Sequence, residues 1–262
     1  MIKFVLILAG LLVLYFILRS RKKTALAETG RLTPQQQEIL RTRVDYYDEL
    51  ADEDKRLFER RIADFLQYVR IECVGASLTD TDRVLVASSA VIPVFGFPGW
   101  RYQNLTNVLL YPDTFDEEFQ FQGGKRNITG MVGTGYMNGQ MILSRAALLK
   151  GFSSASGKEN TAIHEFVHLV DKSDGSTDGV PETVMKYDYS VPWLKLMHGE
   201  MRRIQQGKSD INPYALTNEA EFLAVASEYF FEKPGKFKEK HPEIYRQLSE
   251  IFDQDPAGTD HK

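Results

Sequence analysis

Apolar positions keep helical spacing through the first third of the chain. Leu57, Phe58, Ile62, Phe65, Leu66 and Val69 line one face of an amphipathic helix. Upstream, Thr33 followed by Pro34 and Gln36 predicts a capped helix start. The run "LTDTDRVLVASSAVIPVF" opens on another capping signal and turns almost wholly apolar, predicting a buried helix that ends near Pro93. The pattern then changes. Val108 to Tyr111 and Glu118 to Gln122 read as short strands between turns rich in Pro, Gly and Asp. Gln140 to Ser144 reads as a strand running into a short helix, and its edge is a place where an extended peptide could pair. "NTAIHEFVHLVDKS" and "TNEAEFLAVASEYFFEKP" read as later helices, the second stopped by Pro234. No repeat or low-complexity segment appears. The order predicts an α+β fold, mostly helical with a small central sheet.

Phe4 to Leu18 is an unbroken apolar run of fifteen residues, followed by Arg19, Arg21, Lys22 and Lys23. A spanning helix usually takes about 17–25 residues, and Ile2 with snorkelling Lys3 and Arg19 makes up the difference. A cleaved leader carries its basic residues before the apolar core, and here they follow it. The expectation is a single N-terminal transmembrane helix in the bacterial inner membrane, with the remainder facing the cytoplasm. The domain plan is a membrane anchor with basic flank over 1–23, a tether over 24–31 and one catalytic domain over 32–262.

Composition narrows the function. The 262 residues are 43% hydrophobic and 26% charged, ordinary globular proportions. A formal net charge of -4 offers no basic excess for nucleic acid. Cys73 is the only cysteine, so an internal disulfide framework is excluded.

The chemistry centres on "NTAIHEFVHLVDKSDG". His164 and His168 stand one turn apart on one helical face, able to hold one ion about 2.0–2.1 Å from each ring. Glu165 projects beside that ion, in the His-Glu-x-x-His arrangement of zinc peptidases. A catalytic zinc needs a third protein ligand and an open position. In "NEAEFLAVASEYFF", Glu221 and Glu228 share a stripe at seven-residue spacing, while Glu219 lies nearly opposite and reads as solvated. Glu221 is the expected third ligand. Glu228 is expected to support the site or to pair a buried cation. Asp171, three residues past His168, is a candidate acceptor for a ligand's other ring N–H, and the third ligand should Glu221 not serve. His198, His241 and His261 read as ordinary surface or core residues.

These residues carry a resemblance. "TAIHEFVHLVD", "NPYALTNEAEFLAVASEYFF", "VLVASSAVIPVF", "VLLYPDTF" and "MILSRAALLKG" resemble the Mlc titration factor A family of bacterial zinc peptidases, from about Tyr46 to Pro256. The resemblance implies a zincin-like domain similar in fold to the catalytic domain of anthrax lethal factor. It matches His164, His168 and Glu221 to the family's zinc ligands, Glu165 to its general base, and Tyr214 to a tyrosine that steadies the transition state. It implies one Zn²⁺ per chain, a peptide or protein substrate, and weak aminopeptidase activity. Family members also bind a transcriptional repressor, so a regulatory binding protein with a mainly structural zinc is the alternative expectation. The apolar N-terminus departs from the soluble family member that binds the repressor.

Overall fold

The structure, a computed structural model, describes residues 30–116, 118–121, 126–133, 138–154, 157–185 and 190–258. The expected anchor and nearly all of the tether lie outside the described residues. Among the described residues no helix is long and apolar enough to cross a membrane.

Helices α1 (Pro34–Arg43), α2 (Asp45–Asp48) and α3 (Asp52–Tyr68) open the domain. Thr33 caps α1 through a reciprocal capping box with Gln36, as its spacing predicts. Helix α4 (Asp80–Val91) starts on the same device, with Thr79 and Asp82, and passes into a 3₁₀ turn over Ile92–Val94. Nine of its twelve residues are buried, the outcome its apolar sequence predicts. Asp82 is itself fully buried and accepts two hydrogen bonds from Arg145, at 2.7 and 3.0 Å. Burial would push its carboxyl up, but Arg145 and Thr79 outweigh burial and hold it below the usual range. That pair ties α5 (Arg145–Gly151) to the start of α4.

Strands β1 (Arg70–Cys73), β2 (Asn107–Tyr111), β3 (Gly130–Val132) and β4 (Gln140–Ser144) form one sheet in the order β1-β2-β4-β3. β1, β2 and β4 are parallel, and β3 pairs antiparallel with β4. Two expectations change here. β4 is paired on both sides, so among the described residues the free edge beside it belongs to β3. The strand expected from Glu118 does not form over its described residues, Glu118 to Phe121. Asp116 Oδ1 accepts the backbone N–H of Glu118 and of Gln120 and bends the chain into a turn.

The remaining helices are α6 (Thr161–Asp171), α7 (Ser190–Gln205), α8 (Glu219–Glu232), α9 (Pro234–Lys240) and α10 (Pro242–Phe252). Pro234 does end α8, and it also opens α9, where a missing N–H costs nothing. α6 lies along α8, and both pack into one continuous core that includes Phe65, Phe166, Phe222 and Phe230. His241, which reads as unremarkable in sequence, is buried between Glu200 at 3.1 Å and Asp210 at 2.8 Å. Burial alone would lower its pKa, but those two carboxylates outweigh burial and raise it, which favours the charged ring at the start of α10.

Candidate metal centre

Asn160 caps α6, its side chain accepting the Ile163 N–H at 3.3 Å. The helix buries Ile163, Phe166, Val167 and Val170, which turns His164, Glu165 and His168 toward β3 and α8. Asn218 caps α8 by accepting the Glu221 N–H at 2.9 Å, so Glu221 sits in the first turn. That position favours a carboxylate, since the helix dipole is positive there. The side chain does not fold back on the cap. It reaches across to the histidines.

Three donor atoms converge. His164 Nε2 lies 3.0 Å from Glu221 Oε2 and 3.1 Å from His168 Nε2, and His168 Nε2 lies 3.5 Å from the same carboxylate oxygen. A tetrahedral ion with bonds of about 2.0–2.1 Å needs ligand atoms about 3.3 Å apart, so the triangle has the dimensions of a zinc site. The two imidazole Nε2 atoms face each other and one carboxylate oxygen, an arrangement that a cation bound among them would satisfy. Among the described residues, these three side chains form the one cluster able to hold a metal ion.

Glu228 accepts a hydrogen bond from His164 Nδ1 at 2.8 Å, which makes Nε2 the ring nitrogen that faces the triangle and would give its lone pair to a bound metal. Its other oxygen accepts the backbone N–H of Asn160 at 2.5 Å. Burial would lower the His164 pKa, but Glu221 and Glu228 outweigh it and raise it to about 10. Burial would likewise raise Glu221, yet the two histidines hold it down to about 2. The pocket is therefore built for positive charge.

Glu165 stands beside the donors without joining them. It is buried under β3, and a Cβ at Gly130 would come within 2.6 Å of its side chain. Gly130 is therefore the residue that lets the strand pass over this carboxylate. Burial pushes the Glu165 carboxyl up, against the pull of His164 and His168. Tyr214 sits on a 3₁₀ turn (Pro213–Leu216) capped by Asn212, with its ring centroid 6.1 Å from that of His164. It is 54% exposed in the open mouth of the pocket, and burial and the nearby Glu221 and Glu165 raise its phenol pKa, so it remains an O–H donor.

Among the described residues, neither Asp171 nor His198 hydrogen-bonds to the donor side chains. Asp171 accepts the Gly179 N–H at 2.9 Å, and its hydrogen bond goes to that backbone rather than to His168. His168 Nδ1 has no partner among the described residues. His198 pairs with Glu219 on the surface, at 3.1 Å. Beyond Glu228, Glu232 accepts from Asn160 Nδ2 at 2.8 Å, and burial raises its pKa to about 7. A carboxyl raised from 4.5 in this way favours the fold fully below about pH 4.5 and loses that contribution as pH rises through 7. Glu232→Gln keeps the acceptor and removes the charge. It should stabilise the protein by roughly 3 kcal/mol at pH 8 and by nothing at pH 4, read from denaturant midpoints; equal gains at both pH values would exclude the buried carboxylate as the cause.

Comparison with known proteins follows the same residues. The sequence profile described as glucose-regulated metallo-peptidase M90 matches residues 17–253. An uncharacterized protein of Synechocystis is 29% identical over 236 residues, covering 86% of each chain. Mlc titration factor A of Pectobacterium atrosepticum is 30% identical over 222 residues, covering 80% of this chain and 82% of its own. The protein of that name from Klebsiella pneumoniae is 28% identical over 220 residues, with 79% and 82% covered.

Proposed function

Because the chain belongs to the glucose-regulated metallo-peptidase M90 family and is similar to Mlc titration factor A, we propose that it is a zinc-dependent hydrolase of peptide bonds. The observation that carries the proposal is the donor triangle of His164, His168 and Glu221, which leaves one side open toward Tyr214. A structural zinc site closes with four protein ligands, so three favour catalysis.

His164, His168 and Glu221 would hold the ion, with Glu228 fixing the His164 tautomer. When bound, zinc supplies Lewis acidity, making a water acidic and polarising a carbonyl. Glu165 takes the proton from the attacking water and delivers it to the departing amine, and its raised pKa suits both halves of that task. Tyr214 donates a hydrogen bond to the oxyanion that develops on the carbonyl. The free edge of β3 offers backbone groups to an extended peptide lying across Glu165.

The test is hydrolysis of a mixed peptide pool by the full chain, with products read by mass spectrometry. Cleavage should be abolished by a zinc chelator and restored by added zinc. Cleavage that persists at full rate after metal removal would sink the reading. The names of the relatives support a second role, as a binder of a regulatory protein such as Mlc. That role predicts partner binding that survives loss of Glu165 while hydrolysis does not.

A further inference from the structure

The cleft does not end at the donors. A second cavity of ≈ 350 Å³ adjoins it, and Val132 and Lys172 line both. Helix α6 divides the two spaces: His168 belongs to the metal cleft, and its neighbour Leu169 to the second cavity. Trp100 forms part of the far wall. β3 advances about 3.3 Å per residue, so Val132 lies about 7 Å along the strand from Gly130, the residue over Glu165. A peptide on that edge would bring a side chain to this cavity one or two residues from the bond under attack.

The wall has a definite chemistry. No carboxylate lines it among the described residues, whereas Glu165 and Glu221 line the metal cleft. Arg101 is already spent, paired with Asp64 at 2.6 Å and lying over the Tyr68 ring. Lys172 is not: its ammonium touches only the Gly133 carbonyl, at 3.4 Å, and it has no ion-pair partner among the described residues. Of the two charged side chains that line it, only Lys172 lacks an ion-pair partner among the described residues, and its charge is positive.

Building on the peptidase reading, we propose that this cavity is a substrate subsite selecting a side chain that ends in acceptors and negative charge, glutamate above all, and rejecting arginine and lysine. Lys172 is the specificity-determining residue. The aliphatic parts of Leu169, Val132 and Trp100 hold the methylene stem of the incoming side chain.

The experiment uses the full zinc-loaded chain on peptides with Glu, Ala, Phe or Arg placed in turn at each position within two residues of the cleaved bond. At one position, kcat/KM for Glu should exceed that for Arg by roughly ten-fold. Lys172→Met, which keeps the stem, should bring the two within about two-fold, and Lys172→Glu should reverse the order. Binding is measured in parallel on Glu165→Gln protein by tryptophan fluorescence. Trp193, the other tryptophan, is fully buried, and Trp100→Phe identifies the signal. Dissociation constants should follow the same order. Cleavage that treats Glu and Arg alike, or a ratio that neither Lys172 variant moves, overturns the subsite and leaves the peptidase reading standing. Charge-selective binding that Lys172 controls, with no cleavage of any peptide, upholds the cavity and overturns the peptidase reading instead.

Discussion

Glu165→Gln is expected to keep zinc at one per chain and to lose at least ~100-fold in kcat, the usual scale for removing a general base. The substitution is close to isosteric, which matters because the site is tight. Glu165 is buried beneath Gly130, where even a methyl group would collide with it. A glutamine fits that space, so the variant tests proton transfer rather than packing. The donor triangle is made by His164, His168 and Glu221, and none of its edges involves Glu165. Metal content should therefore not change. KM should move little, because the lost interaction acts on the proton in flight and not on bound peptide. Zinc per chain together with full kcat in the variant would remove Glu165 from the mechanism. A variant without zinc would instead show that the carboxylate supports the metal.

The helical parts of this site are legible in the sequence because their reasons are local. The four-residue repeat of His164 and His168 fixes a shared face, and the apolar residues around them fix which way it turns. The stripe from Glu221 to Glu228 works the same way on α8, and both carboxylates reach His164 from it. What stays hidden depends on the sheet. β3 has three residues, each half-buried, so it carries neither alternation nor an apolar run. β1 follows α3 after a single residue, and Val69 continues the helical spacing although its backbone is already extended. Without β1 and β3, nothing in the letters shows that β4 is interior or that β3 forms the free edge. Gly130 gives no turn signal, since its backbone is ordinary and its need for hydrogen in place of a side chain comes from Glu165, 35 residues later. Asp171 shows the converse. Helical spacing brings it near His168, but Oδ2 goes to a loop amide from Gly179 while Oδ1 stays buried without a partner among the described residues, and spacing cannot report on a loop.

The third ligand gives the other large effect. Glu221→Ala is expected to weaken zinc binding by more than the ~100-fold typical of a lost supporting hydrogen bond, whereas Glu228→Gln should fall within ~10–100-fold. The order follows from position: Glu221 supplies an atom to the triangle, and Glu228 only steadies His164 from the far side of its ring. Binding also has a proton to displace. In the metal-free protein Glu221 and Glu228 keep His164 protonated up to about 10, so zinc binding at pH 7 should release a proton from that ring. The same affinities set thermal stability. At fixed excess zinc, each ~100-fold loss in affinity removes about 2.7 kcal/mol of ligand-derived stability, so zinc should raise the melting temperature most in the parent and least in Glu221→Ala. Calorimetric titration gives affinity and proton release in one experiment, from runs in buffers of different ionisation enthalpy. If Glu221→Ala binds zinc as tightly as the parent, the carboxylate is not a ligand, and the 3.0 Å contact with His164 is an ion pair only. If Glu228→Gln is the weaker binder of the two, the metal lies on the other side of His164, and the open position toward Tyr214 goes with it.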